Sequence, residues 1–562
     1  MPGSPQPNAQ GRPELPPLYY LHNFETLWRI TAARYSDLLL PQEALQMRRF
    51  EALPQTGRCL YVRLALRRGT VFRFHRLNYP EIGDLEQAVR SLEEGCLAGV
   101  CHELDIDTLG RLFTQAEIRQ SYRRELAGVP AANKAELLAA VARLDEDGRA
   151  RADRLCRCVG ERLIQINGAG IIDVLQLLFF GNSRQSLTDF VLSDLGVANY
   201  WPYALTREQR VFSSRDQVDA HRQADVLAER HAAWQESRSP DDLAALAADA
   251  LLLESPAETT ARRIHRLRNR VARDCERLDL PDLALRLYSN SEEHPARERR
   301  LRVLEAQGHL QDALVFAGRV LKAPWCEDEL AAARTIRQRL LRRLYGRRQV
   351  RPRDRFQTHL LTLPRSGQGV ERCAAQQLER EGWAEVRHVE NSLFNGLFGL
   401  AFWDELFAAV PGAFHHPFQA GPSDMFSSRF RVRRRGALER RLQVLAACDL
   451  EAELLGAYRR CAGYQCRWTD WRMLTPSLVQ QAVRCIPFRH LVAVWRRLLF
   501  DPRENRRGQP DLVAFGGAMG RYELWEVKGP GDVLQPHQRR WLDYLCDVGV
   551  PAGLLKVVWD DD

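Results

Sequence analysis

Two short runs near the C-terminus carry residue types that could do chemistry together. The first is Gln509-Pro510-Asp511-Leu512-Val513-Ala514-Phe515; the second is Leu524-Trp525-Glu526-Val527-Lys528-Gly529. Asp511 opens an apolar run that reads as a β-strand, Gly516-Gly517-Ala518-Met519-Gly520 is turn material, and Arg521 to Lys528 reads as a second strand. Side chains two apart on a strand share a face, so Glu526 and Lys528 point the same way. Pairing the strands draws Asp511 towards that face. Two carboxylates and an ammonium at one sheet edge suit metal-dependent hydrolysis of a phosphodiester. Carboxylates are hard oxygen ligands for Mg²⁺ or Mn²⁺. A metal lowers the pKa of a water and offsets charge on the phosphate; a lysine orients that water or stabilises the oxyanion. A surface hairpin with a cross-strand ion pair has the same local spacing. Against that reading, the chain has only four lysines (Lys134, Lys322, Lys528 and Lys556) and 77 arginines, so an ordinary surface cation here would be arginine.

The elements around these runs follow from composition and periodicity. At 562 residues the chain is long enough for several cores. The net charge of +9 suits a polyanionic partner. The thirteen cysteines lack disulfide or zinc spacing and are expected as free thiols. No secretory leader and no apolar run long enough to span a membrane is read, so no membrane partner is expected. The arginine bias fits GC-rich codons and a bacterial source, with a cytoplasmic, nucleoid-associated protein expected there and a nuclear one in a eukaryote. Residues 1–17 read as a flexible tail. Residues 18–53 are helical, with Phe24, Leu27, Ile30 and Ala33 near one face; 59–64 and 71–74 alternate like a β-hairpin, compatible with a winged-helix-like unit. Helices are expected to continue to about Arg230, including the buried run Ile171–Phe180. Residues 239–351 read as helical repeats resembling tetratricopeptide units, in which Ala284 and Ala313 mark close packing. A basic link, 347–355, leads into a last domain, 352–562.

Within the first region, 18–238, Phe113 to Leu126 and Asn133 to Val141 read as two helices around a short linker. They resemble a SAP motif, at about 109–145, which implies DNA-backbone contacts from Arg119, Arg123, Arg124 and Lys134. In the last domain Arg429, Arg431, Arg433, Arg434 and Arg435 form a basic cluster suited to phosphates, or a solvated loop. Gly529-Pro530-Gly531-Asp532 turns into a helix start with Pro536, whose Gln538 is placed as a supporting catalytic residue.

The C-terminal motifs resemble the VRR-NUC branch of the PD-(D/E)xK nucleases: Pro510-Asp511-Leu512, Glu526-Val527-Lys528-Gly529-Pro530 and Gln538-x-x-Trp541 recur in this order. With Glu390-x-Ser392, Leu397-Phe398-Gly399-Leu400, Trp403-Asp404 and Pro417-Phe418-Gln419, residues 371–559 resemble the Fanconi-associated nucleases. The resemblance implies a multidomain, mostly α-helical chain ending in an α/β restriction-endonuclease-like domain. It implies a metal-dependent, structure-specific deoxyribonuclease that cuts near 5′ flaps, trims 5′ to 3′ and serves interstrand-crosslink repair on branched or crosslinked duplexes. By the same resemblance Glu371, Asp511, Glu526 and the Val527 carbonyl become ligands for two Mg²⁺ or Mn²⁺ ions, and Lys528 the catalytic lysine. Glu371 is some 140 residues from Asp511 and comes from the resemblance alone. The animal members' ubiquitin-binding zinc finger is not seen, so recruitment through ubiquitin is not expected. His537 stands where animal members carry a lysine tied to a 5′-terminal phosphate, which puts strict dependence on that phosphate in doubt. A Holliday-junction resolvase and a non-catalytic DNA-binding scaffold are the alternative readings.

Overall fold

The computed structural model describes residues 17–67, 69–128, 133–144, 149–168, 170–182, 185, 198–346, 354–365, 367–518 and 520–560. The tail 1–16, the SAP-like linker 129–132 and most of the basic link, 347–353, lie outside them. The chain divides into two compact units, 1–197 and 198–562.

In the first unit, helices Tyr19–Tyr35, Pro41–Ala52 and Gln55–Ala65 bury Phe24, Phe50 and Tyr61 against one another. The buried face of the first helix runs through Phe24, Leu27, Thr31 and Tyr35, and Ala33 is exposed. The expected hairpin at 59–64 and 71–74 does not form. Cys59, Leu60, Tyr61, Val62 and Leu64 are all buried on the helix, so its apparent alternation is a helix sunk in a core. Strand β1 (Val71–Arg73) pairs instead with a distant segment. The other strands here are β2 (Ala98–Val100), β3 (Glu103–Asp105), β4 (Arg149–Arg151) and β5 (Leu163–Ile166). They form the antiparallel order β1-β5-β2 and the pair β3-β4. β4 and β5 therefore interrupt the stretch expected to be helical. Ile171–Phe180 is the buried helix its composition implies.

The SAP-like pair is present as helices Gln115–Ser121 and Lys134–Ala142, sharing a core of Phe113, Ile118, Leu137 and Val141. A reciprocal capping box starts the first: Thr114 Oγ1 accepts the Glu117 N–H and Glu117 Oε2 accepts the Thr114 N–H. That helix ends at Ser121, short of Leu126, and turns follow.

The second unit begins with seven helices: Arg215–Ser237, Pro240–Leu252, Glu258–Arg277, Pro281–Ser289, Ala296–Ala306, Leu310–Lys322 and Glu327–Tyr345. Neighbours pack in sequence order, and Ala284 and Ala313 are fully buried where helices approach. Arg215–Ser237 packs on Glu258–Arg277, which places it with these helices and not with a region ending at 238.

Next comes a five-stranded sheet of β6 (Gln357–Leu363), β7 (Glu385–His388), β8 (Leu512–Phe515), β9 (Tyr522–Lys528) and β10 (Ala552–Trp559), in the order β6-β10-β9-β8-β7. β8 is antiparallel to β7 and β9, whereas β10 is parallel to β9 and β6. Alternate side chains serve two cores. Leu512, Ala514, Trp525 and Val527 meet helix Val370–Arg380. Val513, Phe515 and Leu524 meet a helical layer that includes Leu393–Ala401, Arg429–Ala447 and Phe488–Phe500.

A buried polar joint ties the helical repeats to this domain. Asp501 Oδ2 accepts the Glu327 N–H at 3.0 Å, so a carboxylate from another segment caps the last repeat helix. Glu327 pairs with Arg497 at 3.1 Å and accepts from Asn505 Nδ2 at 3.1 Å. The Arg497 guanidinium lies 4.4 Å from the Tyr544 ring centroid and 5.1 Å from that of Trp541. Removing one partner of a buried pair costs about 3–5 kcal/mol. Arg497→Ala is therefore expected to lower the first unfolding midpoint and expose the 322–327 segment to protease early. An unchanged midpoint and proteolysis pattern would show that the joint contributes nothing.

Candidate active site

Asp511 and Glu526 face each other because the β8–β9 register pairs Leu512 with Trp525, and one step further brings 511 opposite 526. Asp511 Oδ2 accepts the Val527 N–H at 2.9 Å. Lys528 Nζ donates to Glu526 Oε1 at 2.6 Å and to the Val527 carbonyl at 3.2 Å. Four expected site residues, Asp511, Glu526, Val527 and Lys528, thus converge. Gly529 follows where space is short: a Cβ there would lie 3.3 Å from both Val370 Cγ2 and Asp532 Oδ2. This close approach sets the N-terminus of helix Val370–Arg380 beside the strand end.

Glu526 is 0% exposed and Asp511 9%. Burial pushes the Glu526 carboxyl up to about 8; the Asp511 charge adds to this and Lys528 opposes it. Burial also raises Asp511, with the Val527 amide and Lys528 opposing and the charges of Glu390 and Glu371 reinforcing. Two buried carboxylates face one ammonium, so both can be ionised together only if further positive charge is supplied. Glu526 Oε2 is buried without a hydrogen-bond partner. Among the described residues no three His, Cys, Asp or Glu side chains are preassembled as a metal cluster. The core donors are two carboxylates and a backbone carbonyl, with Glu371 and Glu390 at the rim. This hard, electron-rich oxygen set with an orphaned oxygen fits a divalent cation.

Glu371 sits half-buried in the first turn of its helix, close enough for its charge to act on Asp511. Gln538 caps its own helix, its Oε1 accepting the Gln535 N–H at 2.9 Å, on a helix start whose neighbouring His537 feels the Lys528 charge. The basic cluster splits. Arg434 is buried and pairs with Asp424 at 2.9 Å; Arg433 pairs with Asp424 at 3.0 Å and Glu258 at 3.1 Å; Arg429 pairs with Glu292 at 2.6 Å. Arg431 and Arg435 remain exposed. In the first unit Lys134 Nζ donates to the Gly110 carbonyl at 2.5 Å and is half-buried, while Arg119, Arg123 and Arg124 are exposed.

Sequence reasoning assigned no role to Glu390 and Asn391. The Val389 and Glu390 amides both donate to the Asp511 carbonyl, at 2.8 and 3.3 Å. Asn391, at φ +56°, accepts the Gln509 N–H on its side-chain oxygen at 3.0 Å. The local signals are the Glu390-x-Ser392 motif and an asparagine, the residue that tolerates left-handed backbone.

Paired carboxylates and a lysine at the two interior strands β8 and β9, away from the sheet's edge strands, define a phosphodiesterase site of the PD-(D/E)xK class. Residues 447–559 match the VRR-NUC domain, and 18–97 match the family described as FAN1, HTH domain. The chain is 36% identical to the Fanconi-associated nuclease 1 homolog of Pseudomonas aeruginosa, over 99% of this chain and 98% of that one. It is 34% identical to Homo sapiens Fanconi-associated nuclease 1 over 34% of this chain and 19% of the human one. Its fold superposes on the crystal structure of paFAN1 bound to 2nt 5′flap DNA with gap, with a TM-score of 0.78 and 34% identity, covering 98% of this chain and 100% of that one. The chain belongs to the Fanconi-associated nuclease family. It is a structure-specific DNA nuclease that hydrolyses phosphodiester bonds, and its family's chemistry depends on a divalent metal.

Because Glu526 is buried in conflict with Asp511, it is held at a cost to stability. Glu526→Gln is expected to abolish cleavage and, in metal-free buffer, to raise stability by about 1 kcal/mol. Thermal unfolding and flap cleavage on the same preparation check this; retained cleavage would remove Glu526 from the site.

Proposed function

We propose that this nuclease cuts DNA at 5′ flaps, trims from the 5′ side and acts in interstrand-crosslink repair. The observation that carries the reading is the Asp511–Val527–Glu526–Lys528 arrangement. Its relative paFAN1, solved with 5′ flap DNA, supplies the substrate class. Asp511, Glu526 and the Val527 carbonyl would hold Mg²⁺ or Mn²⁺, and Glu371 would be a further ligand where two ions bind. Bound metal supplies an activated water and neutralises charge on the scissile phosphate. Lys528 Nζ, now on Glu526 Oε1, is free to turn to the attacking water or the oxyanion once the carboxylate is otherwise engaged. Ubiquitin plays no part in recruitment in this reading. Among the described residues no helix is long and apolar enough to cross a membrane.

The test is an end-labelled panel of 5′ flap, nicked, splayed and four-way DNA with Mn²⁺ or EDTA. Metal-dependent cutting near the flap junction is expected. Preferred, symmetric cutting of the four-way junction would favour the resolvase reading. Lys528→Ala is expected to slow flap cutting by at least about 10²-fold, the scale of losing one transition-state stabiliser. Lys528→Arg should not restore it, because a planar fork does not replace a compact ammonium. Wild-type rates in Lys528→Arg would make Lys528 a mere surface cation.

We also propose that the exposed Arg119, Arg123 and Arg124 grip duplex phosphates. Reversing the last two to Glu should weaken flap binding and flatten its salt dependence by about 0.9 log unit per lost phosphate contact. An unchanged slope in a binding titration from low to moderate salt would take this segment off the DNA surface.

A further inference from the structure

Arg467 and Arg506 differ from the paired arginines of the nuclease domain. Arg429, Arg433, Arg434, Arg441, Arg484 and Arg497 each have a carboxylate partner. Neither guanidinium of the Arg467–Arg506 pair has a carboxylate or carbonyl partner among the described residues. What they share is one aromatic ring: Arg506 Cζ lies 4.9 Å and Arg467 Cζ 5.8 Å from the Phe426 centroid. Arg506 is half-buried, and burial followed by the Arg467 charge disfavours its cationic form. An exposed arginine satisfies itself with water. A partly desolvated one set beside a second cation is a standing cost that an anion would offset.

The mounting of Arg506 is rigid and leads to the metal-site carboxylates. Its carbonyl accepts Asn395 Nδ2 at 2.7 Å. Gln509 Nε2 donates to Asn395 Oδ1 at 2.9 Å and to the Asn505 carbonyl at 3.2 Å. The Gln509 amide is held by Asn391, and the Asp511 carbonyl by Val389 and Glu390. Four residues lie between Arg506 and Asp511, so their α-carbons are at most about 18 Å apart. That is a few nucleotides of one strand, which rises about 3.4 Å per phosphate.

We propose that Arg467 and Arg506, carried on Phe426, form a phosphate clamp that holds a backbone phosphodiester of the strand being cut. The clamp rests on the nuclease reading above and adds to it a substrate contact outside the carboxylate–lysine site. Both are substrate-binding residues. Arginine suits the task because its fork takes two oxygens of one phosphate.

The experiment is steady-state cleavage of a 5′ flap by wild type, Arg467→Gln/Arg506→Gln and Arg506→Lys. Flaps carrying one neutral methylphosphonate at successive linkages around the cut are run in parallel. Wild-type cutting of the unmodified flap tests the nuclease reading by itself. The double variant is expected to raise KM about tenfold or more with kcat changed less than about threefold, as loss of uniform binding does. Arg506→Lys should recover part of the loss. One methylphosphonate position should slow the wild type about tenfold and the double variant less than about twofold, because the contact is already gone and the effects do not add. A purely structural role would lower the melting temperature and slow every substrate alike. Additive losses at every linkage, or wild-type KM in the double variant, would overturn the clamp while leaving flap cleavage intact.

Discussion

The Val527 amide donates to Asp511 across the β8–β9 pair, and the site depends on that bond. It ties the first carboxylate to the backbone between Glu526 and Lys528, so the three functional side chains share one frame. The strand register does the rest. A one-residue slip of β8 against β9 would turn every side chain of the slipped strand to the opposite core, and both faces are buried, so slippage is heavily penalised. The Asp511 carbonyl is fixed in turn by the amides of Val389 and Glu390, which carries the frame onto the loop after β7.

Such a frame lets the fold hold a charge arrangement that would otherwise relax. Glu526 lies wholly buried beside Asp511 with one oxygen unpartnered, and Lys528 neutralises only part of the pair. Apolar cores on both faces of the sheet supply the stability against which this conflict is set. The helical repeats are tied on by a joint built differently, in which the carboxylates of Asp501 and Glu327 are engaged by the Glu327 amide, Arg497 and Asn505. The carboxylates of the joint have partners, whereas Glu526 in the site keeps a buried oxygen without one. That contrast separates a structural polar cluster from one awaiting a cation.

The functional core was legible because its signals are local. Strand, glycine turn and strand place Asp511, Glu526 and Lys528 within eighteen residues, where the two-residue period decides which side chains meet. Ile171–Phe180 was legible for a similar reason, being apolar throughout and too short to span a membrane. The failures are long-range. β1 finds its partner β5 some ninety residues away, so its alternation was assigned to the nearer run, which is a helix. Arg433 and Arg434 looked like a phosphate site because Asp424 and Glu258, which neutralise them, arrive from other segments. Among so many arginines the informative ones are those without partners, and no spacing rule identifies them.

The central claim is that the Asp511–Glu526 pair with the Val527 carbonyl is a divalent-cation site. Calorimetric titration of Mn²⁺ into the metal-free protein tests it most directly, with Asp511→Asn as the isosteric control. That variant keeps an oxygen to accept the Val527 amide while losing the charge. Saturable Mn²⁺ binding is expected for the wild type, weakened in Asp511→Asn by more than the roughly 10- to 100-fold that loss of an outer-shell partner costs. Equal affinity in the two proteins would contradict it.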